Sequence, residues 1–242
     1  MTALRLADAR EAADISAFLA RLLRWDKAAV VRLQAAGGGP GVLGVFGNPP
    51  FGGVLAVRTA ALADPADLDA TVSAGQLLDG ISASDGTLAV PPTVTGPSWT
   101  GLLPPRGGWR RVEGMPSPDR VRGVAAAVVT EFRTRTEGLP PERRTRGELD
   151  ALAEEIWSRT LGTTGLPLRA VHAAHALGFL RPARLPVPAP RDAAPSDGGD
   201  GGENGDELVL LAAGAWLRLR TPYGSVAVRR AGAGLGLQVS PV

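Results

Sequence analysis

The sequence predicts an α+β protein in which two three-stranded antiparallel meanders pack with four to five helices, and three observations lead there. A Pro-aromatic-Gly element is written twice, as Pro50-Phe51-Gly52-Gly53-Val54-Leu55-Ala56-Val57-Arg58 and as Pro222-Tyr223-Gly224-Ser225-Val226-Ala227-Val228-Arg229. Each copy follows two apolar runs, residues 29–33 and 42–46 before the first and residues 208–211 and 216–219 before the second. Between the copies lie segments whose apolar residues recur at helical spacing. Proline presets a turn and glycine accepts positive φ, so each Pro-aromatic-Gly reads as the turn into the last strand of a meander. The recurrence reads as a possible internal repeat; the plainer alternative is convergent turn chemistry, and both segments are strands under either reading.

Taken in chain order, Asp8 followed by Glu11 opens a helix whose Ile15, Phe18, Leu19, Leu22 and Leu23 share one face. The first meander follows. Its glycines Gly37, Gly38, Gly39 and Gly41 read as a hairpin, because a phosphate loop needs a helix N-terminus after it and here a strand follows. Asp64-Pro65 begins a turn, and residues 73–81 form one short helix carrying Leu77, Leu78 and Ile81. Residues 91–108 are an irregular connector, held in place by Trp99, Leu102, Leu103 and Trp109. Ser117-Pro118-Asp119 supplies an N-cap, a first-turn proline and an early acid for a helix reaching Gly138, with Val121, Val124, Val128 and Phe132 inward. Thr145 and Glu148 form a capping box for the next helix, with Leu149, Leu152 and Ile156 on its apolar side. Pro167 opens a third, over residues 168–179.

The domain reading is an N-terminal α+β half over residues 1–108, a helical segment over 109–181, an acidic Pro- and Gly-rich linker over 182–206, and a C-terminal meander over 207–242. The linker is expected to be disordered because it holds no aromatic residue and buries too little to offset ordering.

Composition removes several classes of function. The 242 residues contain no cysteine, which excludes disulfides, thiolate metal sites and cysteine nucleophiles. Lys27 is the only lysine among 26 basic residues; with abundant Ala, Gly and Pro this points to a GC-rich genome, so arginine counts carry less functional weight. The N-terminal residues mix acids and bases, and no apolar run is long enough to span a bilayer, so a cytoplasmic protein without membrane partners is expected.

Candidate chemistry is sparse. His172 and His175, three apart on one predicted helix, suit two metal ligands, with Glu154 or Glu155 needed to complete a site; a packing role for the pair fits better, and no metal or cofactor is expected. The acids at 197–206 recur every third residue rather than at the alternating positions of a calcium loop. No Ser, His and Asp set stands out. Charge is segregated, with residues 106–191 carrying a net +6 between two segments of −2 each. Arg110, Arg111, Arg143, Arg144 and Arg146 are therefore the candidate polyanion-binding residues, although Glu113, Glu142 and Glu148 are interleaved and nucleic acid is the disfavoured partner. The order helix, helix, strand, strand over 145–230 invites comparison with a winged helix, but its would-be reading helix carries only Arg169 and is built to be buried. The sequence reads as a non-enzymatic interaction or regulatory protein with an unidentified protein partner. The alternatives are a nucleic-acid-associated protein using the arginine-rich middle, and an enzyme with a dispersed site.

Overall fold

A computed structural model describes residues 2–36, 41–94, 103–182 and 207–230. Its elements are β1 (Thr2–Arg5), α1 (Ala9–Trp25), β2 (Val30–Ala35), β3 (Val42–Gly47), β4 (Leu55–Ala61), β5 (Leu68–Ser73), α2 (Ala74–Asp79), β6 (Ile81–Ser82), β7 (Thr87–Val90), β8 (Arg110–Arg111), α3 (Pro118–Glu137), α4 (Arg146–Ser158), α5 (Leu168–Ala176), β9 (Val209–Ala213), β10 (Trp216–Thr221) and β11 (Gly224–Arg229). The capping residues read from sequence are in place: the side chains of Asp8, Ser117 and Thr145 accept from the backbone N–H groups of Glu11, Arg120 and Glu148.

The protein is α+β with antiparallel sheets, as expected, but the meanders are not two separate three-stranded sheets. They join edge to edge in one eight-stranded sheet of order β5-β2-β3-β4-β11-β10-β9-β8, and a smaller sheet has the order β1-β7-β6. The join is the antiparallel pairing of β4 with β11, Leu55 opposite Ala227, Ala56 opposite Val226 and Val57 opposite Ser225. Each meander would otherwise end in an open strand edge, and pairing the two edges satisfies both ladders. The strands β1, β5, β6, β7 and β8 were not expected from sequence; β5 and β8 extend the large sheet at its two ends.

This register gives the two Ala-Val-Arg endings opposite orientations. Leu55, Val57 and Ala227 share one face, so Arg58 points to the other face while Arg229 lies on theirs. Arg58 is buried, 8% exposed, and donates to Asp14 Oδ2 of α1 at 2.7 Å, whereas Arg229 is exposed. The matching letters thus do not occupy matching environments, because one residue fewer follows the glycine in the second copy and a one-residue slip reverses every side chain.

One face of the large sheet carries the helices. Ala56, Leu217, Leu219, Val226 and Val228 meet Ile15, Phe18, Leu19 and Leu22 of α1 and Val171 and Ala174 of α5 in a single core. Phe18 stacks on Phe179, ring centroids 5.9 Å apart, which ties α1 to the end of α5. Three described points flank the opposite face and its edges: Val94 N–H donates to the Thr71 carbonyl at the β5 edge, Leu103 packs with Leu55, Val57, Ala227, Phe46 and Trp216 on that face, and β8 forms the far edge. Trp99, Leu102 and nearly all of the expected linker, residues 183–206, lie outside the described residues. Among the described residues, no helix is long and apolar enough to cross a membrane.

The register difference is testable by chemical denaturation. Arg58→Ala leaves Asp14 half-buried without this partner and is expected to cost about 3 kcal/mol, while Arg229→Ala leaves the midpoint unchanged. Equal losses at the two positions would contradict the pairing. Gly224→Ala is a second probe, since a Cβ there would lie 2.6 Å from the Phe179 ring. It is expected to cost roughly 2 kcal/mol.

Candidate functional site

Gly52 and Gly53 adopt φ of 59° and 75°, and this left-handed pair turns the chain between β3 and β4 so that Phe51 leans toward the helices. α5 holds the turn. Arg169 donates to the Gly52 carbonyl at 3.3 Å and pairs with Glu154 at 2.6 Å, and His172, three residues on along the same helix face, meets the Phe51 ring edge-on at 4.9 Å. The contact continues in both directions. Trp25, at the end of α1, meets Phe51 edge-on at 5.1 Å; Trp157 of α4 stacks on His172 at 4.4 Å, and Phe132 of α3 lies 6.1 Å from Trp157. Five rings from five parts of the chain form one unbroken series, and none is fully buried. Trp25, at one end, is 39% exposed, beside a pocket of about 100 Å³ lined by Leu22, Asp26, Ala29, Val30, Asn48 and Pro50. Large rings held rigidly and left partly open are what protein partners use as anchors.

His172 is the polar member of the series. Among the described residues its buried Nδ1 has no hydrogen-bond partner, and burial, with a smaller contribution from the charge of His175, holds its pKa below the ordinary imidazole value. It is therefore neutral at pH 7.

The second Pro-aromatic-Gly turn is gripped from the same region. Arg181 lies over the Tyr223 ring, 3.7 Å from its centroid, the tyrosine O–H donates to the Pro182 carbonyl at 3.1 Å, and Phe179 fills the space that Gly224 leaves. Arg181 also donates to Asp14, the carboxylate that receives Arg58. Asp14 thus links α1, β4 and the end of α5.

The residues expected to form a basic surface are divided between the two ends of α3. Arg110 and Arg111 make up β8, where Arg111 pairs with Glu207 at 2.7 Å and shares a groove with Ser117 and Pro118 at the helix start. Arg143 pairs with Glu148 at 2.9 Å in a groove with Arg135 and Leu139 at the helix end; Arg144 donates to the Glu137 and Leu139 carbonyls there, and Arg146 sits 3.7 Å from Asp150. Twenty helical residues span about 30 Å. The five arginines therefore do not form one patch, and four of them are occupied by carboxylates or helix carbonyls. The histidine pair is likewise split: His172 is enclosed by Phe51 and Trp157 while His175 is exposed, and Glu154 and Glu155 bind Arg169 and Arg135. Among the described residues, no group of three His, Asp or Glu side chains is placed to hold a metal. α5 is buried, as its Ala-rich sequence implies.

Residues 104–233 match the family described as Domain of unknown function (DUF8185), over half of the chain. The chain belongs to this family. Residues 1–101 match a second, Domain of unknown function (DUF8010), and no curated protein or solved structure matches the chain. The DUF8010 and DUF8185 regions share both the sheet and the ring series: β4, Trp25 and Phe51 come from the first, β11, Phe132, Trp157 and His172 from the second.

The neutral state of His172 makes stability pH-dependent in a defined direction. An imidazole with a lowered folded pKa binds fewer protons folded than unfolded, so stability falls as pH drops below the unfolded value of about 6.5. The thermal midpoint is expected to decline between about pH 7 and pH 5, above the range where carboxylates titrate, and His172→Phe should flatten that decline. An unchanged slope in the variant would show that His172 does not carry it.

Proposed function

We propose that this DUF8185 protein is a non-enzymatic interaction protein whose contact surface is the ring series ending at Trp25. The observation that carries the reading is that Trp25 stays exposed although a continuous line of rings backs it. A ring already fixed by its neighbours loses little freedom on binding, which favours its use as an anchor. The pocket beside it offers a recess for a partner's apolar side chain.

We infer that the two meanders are an internal repeat. Each meander has a fourth strand outside it, β5 beside β2 and β8 beside β9, and each aromatic-Gly turn is gripped from α5 or the residues just after it. On this reading α5 and its C-terminal extension bracket two related halves, and the ring series belongs to the first bracket. Cytoplasmic residence remains part of the proposal.

Photo-crosslinking from position 25 tests the function. A benzoylphenylalanine replacing Trp25, introduced in the source cell, is expected to capture one discrete partner, and Trp157→Ala in the same chain should reduce the yield about tenfold. The same crosslinker at Arg146, on the exposed start of α4, is the control. No adduct at position 25, or the same adducts at both positions, would refute the proposal.

A further inference from the structure

The sheet face without helices is asymmetric in charge. Alternation along the strands places Arg218 and Arg220 of β10, Arg229 of β11 and Arg111 of β8 on that face in its C-terminal half, with Glu207 as the acid that pairs with Arg111. In the other half, Arg32 is answered by Asp69 at 2.8 Å. Among the described residues, no carboxylate forms an ion pair with Arg218, Arg220 or Arg229. Arg218 and Arg220 are two residues apart on one strand, about 7 Å, and Arg229 sits opposite Trp216 and diagonal to Arg218, about 7–8 Å away. Arg218 is held in place: its Nε donates to Ser225 at 2.9 Å, and its guanidinium lies 5.9 Å from the centre of the Trp109 ring. Burial, and then the neighbouring Arg220 cation, keep its pKa below the ordinary guanidinium value. One fixed cation thus stands beside exposed Arg220 on the sheet surface, and among the described residues no carboxylate pairs with either.

We propose that Arg218, Arg220 and Arg229, with Trp109 and Trp216 at half-buried positions beside them, form a binding surface for single-stranded nucleic acid. The chemistry is complementary in both parts: the guanidinium groups meet phosphates, and the indoles offer faces on which bases stack. An acidic peptide would use the cations and leave the indoles idle, so single-stranded nucleic acid fits the whole set. This surface is distinct from Arg143, Arg144 and Arg146 beyond the end of α3, which are held by Glu148, backbone carbonyls and Asp150, and from the ring series on the helical side.

The test uses the full chain and fluorescein-labelled oligouridine of about 20 nucleotides, followed by anisotropy and by quenching of tryptophan fluorescence over a range of salt. Three phosphate contacts predict a slope of log K against log salt near −2, since each contributes about 0.7 on a single strand. Arg220→Ala with Arg229→Ala should reduce the slope by about 1.4 and weaken binding at least tenfold at low salt. Both residues are exposed, and an unchanged thermal midpoint checks that the double variant folds. Arg143→Ala with Arg146→Ala should leave binding as it is. No binding at low salt, an unchanged slope in the first double variant, or loss in the second would overturn the proposal. So would anionic phospholipid vesicles displacing the oligonucleotide while binding the first double variant as well as the natural chain.

Discussion

The pairing of β4 with β11 is the contact on which the rest of the molecule depends. It joins strands some 170 positions apart in the chain, through three residue pairs, and turns two four-stranded halves into one sheet. Everything placed relative to that sheet inherits the join. α1 touches β4 and α5 touches β11, so the two helices become neighbours, Phe18 reaches Phe179, and Asp14 reaches both Arg58 and Arg181. On the other face the same join brings Leu55 and Val57 together with Ala227 beneath Leu103. Because the DUF8010 region supplies β4 and the DUF8185 region supplies β11, each would end in an unpaired edge without the other.

α5 is the second organising element. It is short, and its inner residues are mostly small, which lets it sit close to the sheet. Its outer residues then reach the first turn through Arg169 and His172, while the chain just beyond its end reaches the second through Phe179 and Arg181. The two grips differ in chemistry. The first is an aromatic series with a neutral imidazole in the middle; the second combines a cation over a ring with a glycine that leaves room for a phenyl group. A buried polar atom without a partner, such as His172 Nδ1, opposes folding, and the ring contacts on both sides of the imidazole offset that cost.

The arginine content acquires meaning only through partners. Around α3 and α4, Arg135, Arg143 and Arg159 face Glu155, Glu148 and Glu131, and Arg144 donates to the Glu137 and Leu139 carbonyls, so several cations of the segment with the highest net charge are already engaged. The C-terminal segment sums to −2, yet its sheet face is positive, because all of its acids lie in the sequence before β9 while Arg218, Arg220 and Arg229 alternate outward along β10 and β11. Net charge by segment and charge by surface are different quantities, and a β-strand's two-residue period separates them.

By itself the sequence determined the elements whose causes are local. The N-caps at Asp8, Ser117 and Thr145, the apolar stripe of α1, the buried character of α5 and the two aromatic-Gly turns were all legible, because each rests on residues within one turn or one strand. The short strands β1, β5 and β7 were not legible: four to six residues such as Thr87–Val90 carry too little pattern, and they are strands because a neighbour offers its edge. Only the tertiary structure decided that the two meanders share one sheet, that Arg58 is buried while Arg229 is exposed, and which carboxylates the described arginines meet. These outcomes depend on register between strands far apart in the chain, and register is chosen by burial across the whole sheet rather than by any residue's own preference.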